Sequence, residues 1–422
     1  MQHKFLFFAL ILSSFCFSQE KDTTVVFKKR VLESTEVDFL LSYYNQDGVH
    51  SSVSGGIGSE KLTDLASNIV ISLPLNDDSI LTVDAGISAY TSASSSNINP
   101  FDSSNPSPWQ SSSGASEQDA LASLVLNYSN SSDNRNFIWN ADVSFSNEYD
   151  YTSVGFGGGI TQLFNNKNTE VSIKLNVYLD QWRPIYPKEL IDKNYSSYNV
   201  LYTPKFAEWD KTARNSYAAS FSFSQVLTKK SQISIFFDVL QQDGKLSTPY
   251  HRIHFQDVND YFVSNYKLAD DIERLPKTRF KLPIGMRWNY FLNERFIIRT
   301  YYRYYTDDWD LKAHTCSIEL PIKITDKFTV FPMYRYYTQT QTKYFAPFEK
   351  HLSTEEFYTS DYDLSTFNAN QYGFGITYTD IFMGSKIWKF GLKNIDFRYN
   401  HYDRNDGLSA NIATIGLKFV MQ

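Results

Sequence analysis

Apolar and polar residues alternate one by one along most of this chain, in runs of roughly ten, the weak signature of a membrane-spanning strand. Phe280, Leu282, Ile284, Met286, Trp288 and Tyr290 share one parity, while Arg279, Lys281, Gly285, Arg287 and Asn289 hold the other. Val171, Ile173, Leu175, Val177 and Leu179 alternate in the same way with Ser172, Lys174, Asn176, Tyr178 and Asp180. So do Leu81, Val83, Ala85, Ile87 and Ala89 with Thr82, Asp84, Gly86, Ser88 and Tyr90. A period of two sends successive side chains to opposite faces of a strand. Alternation alone does not separate a membrane barrel from a soluble sandwich, because a sandwich sheet also has one polar face.

The connections separate them. Strands are predicted at 35–45, 61–75, 79–91, 117–129, 136–148, 150–164, 169–181, 214–227, 232–243, 277–291, 296–306, 311–324, 328–341, 366–380, 387–401 and 407–420. Every second junction is a tight polar turn, such as Asn76-Asp77-Asp78, Asn293-Glu294 or Thr325-Asp326-Lys327. The long connections, near 92–116, 182–213, 245–276 and 342–365, all fall at the other junctions. Short periplasmic turns and long extracellular loops produce that segregation, and Greek-key connections have no reason to. In hydrocarbon an unpaired backbone group is costly, so open sheet edges are not tolerated and the sheet must close. The expected fold is therefore all-β: one transmembrane antiparallel up-and-down barrel of about 16 strands, an even number as bacterial barrels require. It occupies residues 35–422, after a signal peptide at 1–18 and a short periplasmic segment at 19–34.

Three details refine this picture. The last strand carries Ala413, Ile415, Leu417 and Phe419 on one face and resembles the terminal strand that barrel-assembly machinery recognises. Tyr43, Trp139, Tyr217, Trp288, Tyr302, Tyr304, Tyr372 and Trp388 lie near strand ends and suit interfacial aromatic girdles. Trp388, Phe390 and Leu392 have the opposite parity to Ile395, Phe397 and Tyr399, which predicts a β-bulge near Lys393-Asn394.

Composition narrows the class further. With 30 Tyr, 33 Phe and a mean hydropathy of −0.38, the chain is neither disordered nor a several-pass helical membrane protein. A net charge of −6 excludes a general nucleic-acid binder. Lys4, the apolar run Phe5–Leu12 and the small residues that follow read as a secretory signal cleaved after Ser18. Its loss leaves Cys316 as the one thiol, so no disulfide framework or cysteine metal cluster is expected.

Assigning the apolar parity to lipid points Glu36, Asp38, Asp84, Asp142, Glu148, Asp180 and Asp238 into the lumen. Arg279, Lys281, Arg287, Arg299 and Arg303 then point inward from the next two strands. Opposite charges on opposite walls would set a field across the pore. Lys174 and Glu319 interrupt that separation.

Other candidates read as structural. Gly155, Gly157 and Gly159 miss the phosphate-loop pattern because Ile160 takes its last position, and they fit the lumen face of a strand, at a bend or beneath a packed loop. His251 and His254 are three residues apart with no evident third ligand, so they read as loop-surface histidines rather than a metal site. His50, His314, His351 and His401 likewise fall in outer loops or at strand ends. The acidic clusters Asp257 to Glu273, Asp307 to Asp310 and Glu355 to Asp363 could serve divalent cations bridging to surface saccharide, but with no ligand spacing evident they read as solvated loop segments. Ser92–Gly114 reads as an extended flexible loop. No nucleophile–base pair is visible, and neither catalysis nor a cofactor is expected.

Three segments carry a resemblance: Val37-Asp-Phe-Leu-Leu-Ser-Tyr-Tyr-Asn-Gln-Asp-Gly48, Ser54-Gly-Gly-Ile-Gly-Ser-Glu-Lys-Leu-Thr-Asp64 and Ile87-Ser-Ala-Tyr-Thr-Ser-Ala-Ser-Ser-Ser-Asn-Ile-Asn-Pro-Phe101. With them the chain resembles a domain-of-unknown-function family of outer-membrane barrels. The Phe17-Ser18-Gln19 ending of the signal suits a Bacteroidota-type source. The resemblance implies a link to a flavin transferase encoded beside such barrels, and hence periplasmic redox partners. It supplies no site residues, and Asp406-Gly-Leu-Ser-Ala410 departs from a flavin-attachment motif because Asn411 follows. The expected function is a porin-like channel for small hydrophilic solutes. The alternative is a non-conducting scaffold anchoring a periplasmic or surface complex, with 46–60 as a contact. Partners on either reading are outer-membrane lipid and lipopolysaccharide, the barrel-assembly machinery and a periplasmic protein, with no nucleic acid.

Overall fold

A computed structural model describes residues 29–91, 118–191, 201–209, 212–263 and 266–422. The expected signal peptide, the first part of the 19–34 segment and the Ser92–Gly114 stretch lie outside the described residues. Sixteen strands build one sheet. They are β1 (Glu36–Asp47), β2 (Leu62–Pro74), β3 (Ser79–Thr91), β4 (Gln118–Ser131), β5 (Phe137–Asn147), β6 (Tyr151–Phe164), β7 (Thr169–Trp182) and β8 (Ala213–Thr228). There follow β9 (Ser231–Gly244), β10 (Thr278–Phe291), β11 (Ile297–Asp307), β12 (Lys312–Glu319, continued by Ile322–Lys323) and β13 (Phe328–Val330 and Met333–Gln339). The last three are β14 (Phe367–Thr379), β15 (Phe390–Arg404) and β16 (Ser409–Met421).

Each strand pairs antiparallel with the next, and β1 pairs with β16 from Glu36↔Val420 to Asp47↔Ser409. That last pairing closes the barrel. The strand positions match the sequence expectation throughout. The bulge on β15 falls where the parity switch put it, with the register shifting between Leu392 and Asn394. Trp388 is the exception: it lies in the turn before β15 at φ 55° and is 96% exposed, so it does not continue the apolar face of that strand.

Register aligns the apolar parity of every strand into one outer band. Phe39 pairs with Ile69 and Leu417, Val143 with Phe156, Phe156 with Val177, Phe237 with Ile284, and Phe397 with Ile415. Most of these side chains are exposed, and Ile87, Phe156 and Leu175 on the same face each exceed 50%. A continuous apolar band of this size on a closed antiparallel barrel is a lipid-facing surface, and such barrels belong to outer membranes. Aromatic pairs border it: Tyr128–Trp139, Trp288–Tyr290 and Phe328–Tyr378 on the side of the short turns, Tyr334–Tyr372 on the other. No described helix is long and apolar enough to cross a membrane; the crossing is made by strands.

The buried side chains are mostly outside the barrel wall. Ile253, Phe255 and Tyr358 form a cluster with Val258 against it, and Leu268, Ala269 and Ile272 are almost fully buried as well. All sit in the long connections at one end, which fold together as a cap.

Candidate functional site

The face opposite the apolar band is the barrel interior. Pleat alternation puts Asp38 (β1), Asp84 (β3), Asp142 (β5), Asp180 (β7) and Asp238 (β9) on it, and adds Asp64 and Asp119. The same alternation puts Arg279, Lys281 and Arg287 (β10) and Arg299 and Arg303 (β11) on that face, joined by Arg335, Arg398 and Arg404. Glu36 belongs with Asp38, but Glu148 falls in the turn after β5 rather than on a strand. In a ring of sixteen, β3 stands eight strands from β11, so Asp84 lies half a circumference from Arg299 and Arg303.

Local pairs temper both walls. Lys174 Nζ lies 3.3 Å from Asp142 Oδ1, and Lys418 bridges Glu36 at 2.6 Å and Asp38 at 3.2 Å. Glu319 accepts from Arg299 and Arg398 at 2.9 Å each. Arg279 donates to Asp307 and lies 4.2 Å from the Trp309 ring centroid. Arg287 sits between the rings of Phe236 and Tyr301, 5.6 Å from each centroid. The two signs still divide by half-ring, since most basic groups come from β10–β15 and most acidic ones from β1–β9.

The glycine run on β6 serves this interior. A Cβ on Gly157 would stand 2.4 Å from Asp142 and 2.7 Å from Asn176, and one on Gly159 2.7 Å from Asn140. Bare backbone on β6 is what lets Lys174 on β7 reach Asp142 on β5 across it.

The cap joins loops from opposite sides of the ring. Arg252, in the β9–β10 loop, donates to Val53 O in the β1–β2 loop at 2.9 Å. The same guanidinium meets Glu189, from the β7–β8 loop, at 2.6 and 3.1 Å, with both residues essentially fully buried. Tyr358 and Arg274 exchange backbone hydrogen bonds, tying in the β13–β14 loop. His50 stacks on Tyr362 at 3.7 Å. Because β1 and β9 are half a ring apart, the Arg252–Val53 contact spans the mouth. The cap is fastened to inward-facing groups of the wall: Gln339 donates to Asp363 O and Ser365 O, and Arg404 pairs with Asp363 at 2.7 Å.

This cap corrects the reading of part of the acidic and histidine residues as solvated loop groups, while Asp257, Asp260, Asp308, Asp310, Glu356 and Asp363 are exposed as that reading expected. Asp270, Asp271, Glu273 and Asp307 are buried, as are His254 and His351. The reason is long-range pairing that local composition does not reveal. Asp271 accepts from Arg274 and from Tyr358 Oη, and Asp307 from Arg279, Tyr305 and the Trp309 backbone. His314 lies near the start of β12, as a strand-end position, on its outer face and 2.9 Å from Tyr302 Oη. His251 and His254 part company. His254 packs against Phe348, and burial with the nearby Lys267 and Arg252 charges pulls its pKa down to about 3. His251 instead meets Glu273 and Asp361, residues the sequence offered no reason to group with it.

The chain belongs to the family described as "Protein of unknown function (DUF3570)", which matches residues 7–416. No curated protein matches it. Among solved structures it is similar to a TodX monoaromatic hydrocarbon channel deletion mutant, at 9% identity and TM-score 0.41, covering 92% of this chain and 90% of that one. A BenF-like porin from Pseudomonas fluorescens Pf-5 aligns at 7% identity and TM-score 0.40, covering 92% and 99%. The ferric enterobactin receptor of Pseudomonas aeruginosa aligns at 9% identity and TM-score 0.44, covering 89% of this chain and 55% of the receptor.

Proposed function

We propose that this barrel is a porin-like channel through which small hydrophilic solutes diffuse across the outer membrane, with its long loops outside the cell and its short turns in the periplasm. The observation that carries the reading is the charged interior, acidic on one half-ring and basic on the other. Such an interior favours small, polar or zwitterionic solutes, because a transverse field orients dipoles and penalises lipophilic passengers. The cap then acts as a sieve over the outer mouth. Passage needs no catalysis and no bound cofactor. Outer-membrane lipid and lipopolysaccharide surround the apolar band, and the barrel-assembly machinery inserts it.

One observation favours the second reading, a non-conducting anchor for a periplasmic or surface complex. Loops from opposite rims meet over the mouth, with Arg252 and Glu189 locked between them. Liposome swelling with a size series of uncharged sugars separates the two. A channel admits the smallest sugars and excludes the larger, with the cut-off rising when 245–277 is shortened. Liposomes that stay impermeable to every sugar with either protein would leave the anchor.

A further inference from the structure

We infer that the cap binds a divalent transition-metal ion of the zinc class between His251, Glu273 and Asp361. One ligand atom from each lies within 4.8 Å of the other two. His251 Nδ1 is 3.4 Å from Glu273 Oε2. That is long for a charge-assisted hydrogen bond, which closes to about 2.7–2.9 Å. It matches two ligands around one tetrahedral ion, where bonds of roughly 2.0–2.2 Å place donor atoms roughly 3.3–3.5 Å apart.

The surroundings prepare each donor. Ser52 Oγ lies 3.0 Å from His251 Nε2, so the tautomer that gives Ser52 the ring proton leaves the Nδ1 lone pair for an ion. Glu273 is 2% exposed, and its carboxylate is held by the Thr248 backbone N–H at 2.7 Å and the Thr359 hydroxyl at 2.6 Å. Asp361 accepts from the Asp363 backbone N–H at 3.0 Å, and its own N–H donates to Thr359 Oγ1 at 3.1 Å. Thr359 thus holds the Glu273 carboxylate and the Asp361 backbone together. Hydrogen bonds that orient a ligand set in this way are the usual second layer of a metal centre.

Charge and donor type agree. The ion-pair partner of buried Glu273 among the described residues is the His251 ring, and Asp361 stands beside them. One buried and one half-buried carboxylate gathered with one imidazole leave a negative excess that a divalent cation balances. One nitrogen and two carboxylate oxygens suit Zn²⁺ and its neighbours rather than Ca²⁺, which takes oxygen donors. Three protein ligands leave a fourth position for water or an arriving group. Because Ser52, the His251–Glu273 pair and Asp361 come from three different loops, the ion would pin the cap at its junction. This holds whether or not the barrel conducts.

The test uses the untagged, full-length folded barrel in detergent, stripped with chelator and titrated with ZnCl₂ against a chromophoric competitor. One ion per chain is expected, and Co²⁺ in its place should give the visible absorption of a four-coordinate site. Ser52→Ala should weaken binding about 10- to 100-fold, the usual effect of losing an orienting partner. Asp361→Asn and His251→Ala should weaken it more, and His314→Ala not at all. Heat-modifiable gel migration verifies that each variant is folded. Absence of saturable Zn²⁺ binding to the wild type overturns the proposal, and so does equal binding by wild type and the folded His251 and Asp361 variants.

Discussion

Arg252 is the side chain on which the cap most depends. Its guanidinium forms a two-point pair with Glu189 and takes the Val53 carbonyl, all away from water. Deleting one member of a buried pair strands the other charge, at a cost of about 3–5 kcal/mol. Arg252→Met should therefore open the cap to protease while the barrel stays resistant to heated-gel unfolding, and limited proteolysis followed by mass mapping checks it. His254 sets a pH limit. Its folded pKa, pulled down to about 3 by burial and by Lys267 and Arg252, lies well below the ordinary value for histidine. The unfolded cap therefore takes up a proton that the folded cap refuses, and stability is full above about 6.5 and falls as pH drops toward the folded value. Asp270, which burial raises to about 6, works in the opposite sense: its contribution is present in acid and lost as pH rises. The protection factors of the β9–β10 loop amides, exchange rates taken relative to the intrinsic rate at each pH, should fall on acidification in the wild type with chelator present. His254→Asn should remove that fall, and an identical acid limb in the variant would contradict the assignment.

Strands were legible because lipid is a strict filter. On β10 each of Phe280, Leu282, Ile284, Met286, Trp288 and Tyr290 must face hydrocarbon, so the period of two survives in the sequence. The parity switch on β15 was legible for the same reason. The glycines of β6 were readable as lumen-facing, but not their purpose, since the Lys174–Asp142 bridge above them joins strands on either side. Gly157→Val should force that bridge apart and cost about 1–3 kcal/mol through overpacking. Gly158→Ala, whose added Cβ would face only a backbone carbonyl at 3.3 Å, should cost less. Urea unfolding from lipid vesicles measures both, and equal midpoints would contradict the account. The cap was not legible. Glu189 and Arg252 are 63 residues apart, Val53 and Arg252 are 199 apart, and no periodicity links them. Asp270, Asp271, Glu273 and Asp307 therefore looked solvated when they are buried and paired, whereas Asp257, Asp260, Asp308, Asp310, Glu356 and Asp363 are exposed as expected. Trp388 looked like strand because its parity fitted, whereas a positive φ had already turned the chain there.

On the proposed channel reading, wall and cap would act as a filter in series: a mouth crossed by interlocked loops, then an interior with most of its acidic and basic residues on opposing half-rings. Neutralising Arg299 and Arg303 should shift ion selectivity toward cations, because the Asp84 side of the ring keeps its charge. Zero-current potentials under a salt gradient give that shift. The deciding experiment is single-channel recording of the purified, folded barrel in planar bilayers. Steady ohmic current, with a reversal potential that moves in the cation-selective direction for the Arg299→Gln/Arg303→Gln variant, is the predicted result. Electrical silence from barrels verified as folded and inserted, both intact and with the β9–β10 loop shortened, would contradict a channel.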